Sequence, residues 1–294
     1  MDTIGLRPTT IKTYHKKPYP AISPLRPELS QAGKTILIAG GSSGIGYAIA
    51  RAFVQAGATR LILLGRREGP LKSAASTLAT EGSTKIIPMV CDITNLSDTA
   101  RLFESLRTDN IFVDVLVLNA ATTGEVKTLL DAGVTSVWKA FEFNVRTLMD
   151  LTEHFYKQEG TRQKYLINVS SSAIHNFEID ATVMPAYGLT KNSGSLLLQQ
   201  IAKDVHPDEM QIVSFHPGGV LTDLAKANGV REELYDWDDE NLPGQFAVWL
   251  ASPEARFTHG RMLAAHWDVD ELKGEAKERM EGQWNYLKVG LVGI

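Results

Sequence analysis

Between the apolar run Thr35–Ala39 and an amphipathic stretch that opens at Gly44 lies the loop Gly40-Gly41-Ser42-Ser43-Gly44-Ile45-Gly46. A strand that turns on glycines straight into a helix begins a βαβ unit, which commits the rest of the chain to a parallel sheet clothed in helices. Ile45, Ile49, Ala52 and Phe53 recur at helical spacing after the loop. Missing Cβ atoms let the backbone approach a pyrophosphate, and the free N–H groups and dipole of the helix start favour its negative charge. A glycine-rich turn alone can be merely structural; with a strand before it and a helix after it, the loop predicts dinucleotide binding.

From Lys34 onward, short apolar runs alternate with amphipathic stretches. Strands are predicted over 35–39, 60–64, 85–90, 113–118, 164–169, 211–215 and 261–264, and helices around 44–57, 69–81, 95–107, 127–158, 185–205 and 243–251. The fold class expected is α/β: a Rossmann-type, doubly wound, seven-stranded parallel sheet in a single domain. A doubly wound sheet readily absorbs the 294 residues. Pro88 cannot donate to a ladder, so the third strand belongs at an edge, where the 3-2-1-4-5-6 order of such folds puts it. Residues 1–33, interrupted by Pro8, Pro18, Pro20, Pro24 and Pro27, are expected to form an extended arm over the surface of a dinucleotide-binding catalytic domain spanning 34–294.

Net charge is −4 and the pI about 6.0, with no basic stripe; His15-Lys16-Lys17 reads as a solvated face, so nucleic acid is not an expected partner. The single cysteine, Cys91, excludes an internal disulfide, suits a reducing compartment and reads as a small buried apolar residue. The amino terminus lacks the charged start and apolar run of a signal peptide, and no window approaches the roughly 20 apolar residues of a bilayer span. A cytoplasmic protein without membrane contact is expected. The histidines show no metal-ligand spacing, and no metal is predicted.

Tyr187-Gly-Leu-Thr-Lys191 carries the second chemical signal. In a helix over 185–205, positions 187 and 191 lie one turn apart on the same face, about 6 Å along the axis. A free tyrosine titrates near pH 10, so its use as a proton donor or acceptor near neutrality needs roughly 4 kcal/mol of differential stabilisation of the phenolate. A fixed ammonium one turn away, joined by a positively charged nicotinamide ring, is a means to supply it. Ligands of open sheets sit beyond the carboxyl ends of the strands, so this pair and the glycine loop are expected to meet there. Together they read as a redox enzyme.

The end of the second strand reports on which dinucleotide is used. An acidic side chain there would hold the adenosine ribose hydroxyls and repel a 2′-phosphate. This chain has Gly65-Arg66-Arg67. The guanidinium of Arg66 offers a bidentate fork for that phosphate, which favours NADP(H) over NAD(H); the alternative is an arginine that only caps the strand in solvent.

These residues resemble the short-chain dehydrogenase/reductase superfamily over nearly the whole chain. The family's glycine motif, usually threonine-first, is here Ala39-Gly40-Gly41-Ser42-Ser43-Gly44-Ile45-Gly46, and its Asn-Asn-Ala-Gly motif corresponds to Leu118-Asn119-Ala120-Ala121. The resemblance implies that Asp92 contacts the adenine, that Asn119 supports the cofactor and that Asn144 supports a water in a proton relay. It implies that Ser171 is the catalytic serine, with Ser170 and Ser172 as alternatives, since Ser171 lies sixteen residues before Tyr187. His216-Pro217-Gly218-Gly219-Val220-Leu221-Thr222 resembles the segment that approaches the nicotinamide carboxamide, with Val220 and Thr222 as its contacts. His216 itself reads as a strand-end residue, and His175 as a candidate substrate contact. Both ends of the chain, 20–30 and 260–272, are similar to fungal members linked to specialised metabolism.

The mechanism implied has Lys191 holding the nicotinamide ribose and lowering the pKa of Tyr187, Ser171 bonding the substrate carbonyl, and Tyr187 supplying the proton. Residues 223–243 are expected to form a substrate lid, with Tyr235 and Trp237 toward an apolar ligand and Asp236, Asp238, Asp239 and Glu240 toward water. A homodimer or homotetramer through the long helices is the expected assembly. Two other functional classes fit the same residues: a non-redox isomerase, lyase or cyclase with the dinucleotide as spectator, and a dinucleotide-sensing binding protein.

Overall fold

Runs of β-branched and leucine side chains build the strands, and in all but the edge strand Lys85–Val90 burial on both faces marks them as the interior of a parallel sheet. β1 (Thr35–Ala39), β2 (Arg60–Gly65), β3 (Lys85–Val90), β4 (Val115–Leu118), β5 (Lys164–Val169), β6 (Met210–His216) and β7 (Met262–Ala264) form one seven-stranded sheet, all pairs parallel, in the order β3-β2-β1-β4-β5-β6-β7. The computed structural model describes residues 6–175, 184–227 and 230–290 of the chain. The doubly wound, single-domain α/β fold expected from the sequence is the fold observed. Pro88 pairs with Leu63 of β2 and has the sheet edge on its other side, so its missing N–H costs no ladder bond.

Helices α1 (Gly44–Gln55), α2 (Glu68–Leu78), α3 (Leu96–Thr108), α4 (Leu129–Phe141), α5 (Thr147–Tyr156), α6 (Pro185–Asp204), α7 (Asp223–Ala227) and α8 (Asn241–Leu250) alternate with the strands. Side chains along β1 point to opposite faces in turn. Ile36 and Ile38 enter a core with Ile49 and Phe53 of α1, Leu71 of α2 and Phe246 and Trp249 of α8. Leu37 and Ala39 enter a second core with Leu102 of α3, Leu151 and Phe155 of α5 and Leu198 of α6. Each face therefore has its own helix layer, and the loops at the carboxyl ends of the strands are left to build the site.

The continuous helix expected over 127–158 is broken. Gly133 takes φ 74°, ψ 166° inside α4, and Glu142–Arg146 form a π-helical turn before α5. A glycine can leave helical dihedrals at no steric cost, while the apolar periodicity on either side runs on unbroken, so the pattern concealed the break.

Residues 6–33 carry two 3₁₀ turns, Pro20–Ile22 and Pro27–Leu29, each begun by a proline. Ile22 and Leu29 are fully buried in the core of α1 and α8. Residues 1–5, the start of the expected arm, lie outside the described residues. No helix among the described residues is long and apolar enough to cross a membrane.

Candidate active site

The loops after β1, β2, β4, β5 and β6 enclose a cleft of about 860 Å³. That is within the range of small-molecule and cofactor sites. Its wall includes Gly40, Ser42, Ser43, Gly44 and Ile45 after β1, Arg66 after β2, Asn119 after β4 and Ser171 after β5, with Tyr187 and Lys191 from α6 and Val220 and Thr222 after β6. The structure thus brings most of the residues singled out in the sequence to one place. Gly46, Asp92 and Asn144 are not on this wall, and each has another task.

Gly46 is a packing position. A Cβ there would stand 2.0 Å from the Gly40 carbonyl oxygen and 2.5 Å from Asn119 Nδ2, so any side chain would force the helix off the loop. Asn119 Nδ2 donates to that same Gly40 oxygen at 2.9 Å, tying the end of β4 to the glycine loop. Ser43, at the N-cap of α1, makes no side-chain capping bond. The first-turn N–H groups therefore remain for an anion in the cleft, a fit to a dinucleotide pyrophosphate shown by the chain's own geometry.

Arg66 lines the cleft at the end of β2 with its Cζ 5.8 Å from the ring centre of Phe143. Among the described residues of the wall, the only carboxylate is Asp223, in the segment after β6. Asp92 Oδ1 accepts from Thr94 Oγ1 at 2.7 Å and Thr94 N at 3.0 Å, and these bonds hold its carboxyl below the usual range. Its neighbours Cys91 and Ile93 reach the cleft instead. Burial pushes the Cys91 thiol up to about 11, so it is protonated and inert at neutral pH.

The three serines after β5 separate by their partners. Ser170 Oγ pairs with Ser195 Oγ at 2.7 Å in the interior. The Ser172 amide donates to His216 Nδ1 at 3.1 Å. Ser171 stands on the cleft wall, its hydroxyl accepting from Ala173 N at 3.2 Å as cap of a short 3₁₀ turn.

α6 starts at Pro185, whose missing N–H is no loss at a first helical position, and it presents Tyr187 and Lys191 to the cleft one turn apart. Lys191 is 6% exposed; its Nζ donates to the Val169 carbonyl at 2.7 Å and stands 6.0 Å from the centre of the Tyr187 ring. Burial lowers the ammonium to about 8. Asn144, in the π-helical turn, makes three side-chain hydrogen bonds: Oδ1 accepts from Thr122 N at 2.9 Å, and Nδ2 donates to Thr122 O at 2.7 Å and to Thr190 Oγ1 at 2.9 Å. Its side chain locks the loop after β4 to the helical turn that carries Tyr187 and Lys191.

In the 223–243 segment, Asp223, Ala225 and Val230 border the cleft, while residues 228 and 229 lie outside the described residues. Tyr235 and Trp237 meet edge to face at 5.1 Å and are not on the wall. The acidic cluster does not all face water: Asp238 is 8% exposed and its carboxylate accepts the Gly219 amide. Nothing in the run of acids marks this one, because its partner is a backbone group distant in sequence. His175 does not reach the wall, and residues 176–183, next along the chain, lie outside the described residues. Phe143, Met184 and His216 are wall residues that sequence reasoning had not placed there.

The short chain dehydrogenase family model matches residues 34–233. A short chain dehydrogenase/reductase of Aspergillus aculeatus, AacuD, is 34% identical over 287 residues, covering 98% of this chain and 97% of its own. Another of Aspergillus novofumigatus, nsrO, is 35% identical over 298 residues, covering 99% and 100%. In fold, a short chain dehydrogenase of Shigella flexneri solved in complex with NADP superposes with TM-score 0.71 at 22% identity, covering 82% of this chain and 99% of its own. With the family model spanning the glycine loop, the Ser171 segment and the Tyr187–Lys191 turn, and with full-length relatives above 30% identity, this chain belongs to the short-chain dehydrogenase/reductase family of enzymes.

Proposed function

We propose that the enzyme is an NADP(H)-dependent oxidoreductase that transfers hydride between the nicotinamide and a ketone or secondary alcohol of a specialised metabolite. The observation that carries this reading is the convergence of Ser171, Tyr187 and the buried Lys191 on one wall of a cleft whose other end is the glycine loop. When bound, the nicotinamide supplies the hydride. Ser171 donates its hydroxyl to the carbonyl oxygen, where negative charge develops as the carbonyl is reduced. Tyr187 gives that oxygen its proton, and Lys191, charged below about pH 8, favours the phenolate left behind. Oxidation of an alcohol runs the same proton transfers backwards. Asn119 and Gly46 keep the loop in the shape that receives the pyrophosphate, and Arg66 holds the 2′-phosphate. Asp92 stands by the adenine end, and Val220 and Thr222 by the carboxamide.

NADP(H) is favoured because the β2 end carries Arg66 with no carboxylate among the described residues of the adjoining wall; the fold neighbour from Shigella was itself solved with NADP. The metabolic assignment rests on the likeness to fungal members of the family. Leu130, Val134 and Trp138 of α4 are exposed large apolar side chains, which supports a homodimer or homotetramer through this helix layer. Residues 1–33 form the arm and 223–243 the lid of this cytoplasmic enzyme. The deciding experiment is turnover of a carbonyl panel by purified protein with NADPH, repeated on Tyr187→Phe. Turnover should fall by about 10²–10⁴-fold in the variant; an unchanged rate would remove Tyr187 from the reaction.

A further inference from the structure

Arg146 ends the π-helical turn with its guanidinium turned inward. Nη2 donates to the Thr94 carbonyl at 2.6 Å, and Nε is buried without a hydrogen-bond partner among the described residues. Thr94 belongs to the loop after β3. Its Oγ1 and N–H both donate to Asp92 Oδ1, and Asn95 N donates to Asp92 O at 2.9 Å, so residues 92–95 close into one turn. Cys91 and Ile93, on either side of Asp92, stand on the cleft wall. The Asp92 carboxyl, held low chiefly by Thr94, also feels the Arg66 guanidinium, which puts the turn beside the β2 end of the cleft. Among the described residues, Arg146 supplies the one hydrogen bond that reaches residues 92–95 from outside 92–99.

A competing role for the arginine is to balance Asp150, which lies one turn further on and whose Oδ2 is also buried without a partner among the described residues. No ion pair joins the two among the described residues: Asp150 Oδ1 faces His154 at 3.7 Å, whereas the bond to Thr94 is short and charge-assisted. The fork that Arg146 does engage therefore points to the loop after β3. Within the same five-residue turn, Asn144 fastens the loop after β4 to the helix that carries Tyr187 and Lys191. Two neighbouring residues thus serve opposite ends of the cleft, Asn144 the reacting end and Arg146 the end where Arg66 stands.

We propose that Arg146 is a positioning residue for dinucleotide binding: by fastening residues 92–95 to the π-helical turn, it holds Cys91, Asp92 and Ile93 in the shape that receives the adenosine end. This rests on the reading of the cleft as a dinucleotide site with its adenosine end by Asp92. The probes are NADPH and NADH, titrated into purified full-length protein and followed by calorimetry. Arg146→Met keeps an apolar stem and loses every donor; it should weaken both dinucleotides by the same factor, about ten-fold, leaving unchanged the Kd ratio that Arg66 is proposed to govern. Arg146→Lys, which keeps the charge and one donor group without the fork, should lie between wild type and Arg146→Met. Thr94→Val, which loses the hydroxyl bond inside the turn, should also weaken binding. The double variant should lose less than the product of the two single losses, because both changes act on one turn. In turnover, the Arg146→Met loss should fall on KM for NADPH, with kcat within about two-fold of wild type. An unchanged Kd in Arg146→Met overturns the proposal, as do losses that multiply in the double variant or a fall in kcat at unchanged Kd. Wild-type protein that binds neither dinucleotide would strike the cofactor reading and this proposal together, whereas normal binding indifferent to Arg146 strikes the proposal alone.

Discussion

Asp238 and Gly219 hold each other by two hydrogen bonds: Asp238 Oδ2 accepts the Gly219 amide at 2.7 Å, and the Asp238 amide donates to the Gly219 carbonyl at 2.8 Å. The residue before, Gly218, takes φ 96°, and a Cβ on it would stand 2.5 Å from the same carboxylate oxygen. Gly218 and Val220 both line the cleft, so the carboxylate fixes the turn expected at the carboxamide end of the cofactor. Beside it, Asp239 N donates to Lys16 O at 2.8 Å, and Lys16 Nζ reaches Asp236 Oδ2 at 2.6 Å. Lys16 and the Gly218–Gly219 turn are thus laced together through residues 236–239.

Removal of this carboxylate should loosen the turn. Asp238→Ala should lower stability by about 1.5–3 kcal/mol in denaturant titrations, the range for a hydrogen bond to a charged group. It should also raise KM for NADPH more than it lowers kcat. Burial raises the Asp238 carboxyl, so its ionised form is the costly one, and Asp238→Asn, which keeps an acceptor for Gly219, should lie close to wild type in both measurements. A KM for NADPH unaltered in Asp238→Ala would show that the Asp238–Gly219 link has no part in cofactor binding.

Arg66 is the test of cofactor choice. Arg66→Ala should weaken NADPH by about 10–100-fold, the loss of a bidentate charge-assisted contact, while NADH affinity changes little. The measurement is the ratio of the two Kd values. Because Arg66 Cζ rests 5.8 Å from the Phe143 ring centre, Phe143→Ala should reduce the same ratio by a smaller factor by releasing the guanidinium. Equal losses for both dinucleotides in Arg66→Ala would assign the arginine a general electrostatic role.

Much of the fold was legible because the strands of a parallel sheet are apolar on both faces, and Pro88 and the glycine loop fixed the edge and the starting point. The hidden part was tertiary. The break at Gly133 and the π-helical turn leave no trace in apolar periodicity. Ile22 and Leu29 sit among prolines that read as surface arm, yet they fill the core over α1 and α8. At the site, residue types and order along the chain brought Ser171, Tyr187 and Lys191 into view, but the partners that assign their tasks are backbone groups such as Val169 O. Asp238 was misplaced for the same reason, since it is defined by one backbone amide far away in sequence, whereas His216 is the strand-end residue expected.

Asn144 separates structural support from chemistry. Its side chain makes three hydrogen bonds, to Thr122 and Thr190, so Asn144→Ala leaves the half-buried Thr122 amide unpaired. Stability should fall by about 1–3 kcal/mol. Since the α6 turn is released at the same time, kcat should fall too, with the NADPH Kd much less affected because the glycine loop is held by Asn119 instead. A variant with wild-type melting and reduced kcat would place Asn144 in the relay directly.

Lys191 should show opposite pH signatures in stability and in binding. Its folded value, about 8, lies below the ordinary 10.5, so across that window the unfolded chain holds a proton that the native protein has released. Stability from this group therefore rises with pH from about 8 to 10.5, by up to about 1.4 kcal/mol per pH unit, and the charged form is a burden below it. The ammonium proposed to hold the cofactor behaves the other way: it is present below about 8 and lost above. NADPH Kd should accordingly weaken toward about ten-fold per pH unit above pH 8. Wild-type stability minus that of Lys191→Met should climb over the same range, and the Kd of Lys191→Met should be flat. If the wild-type Kd is also flat between about pH 7 and 9.5, the amine is uncharged or unused when the dinucleotide binds, and the phenol of Tyr187 would then have to be tuned without it.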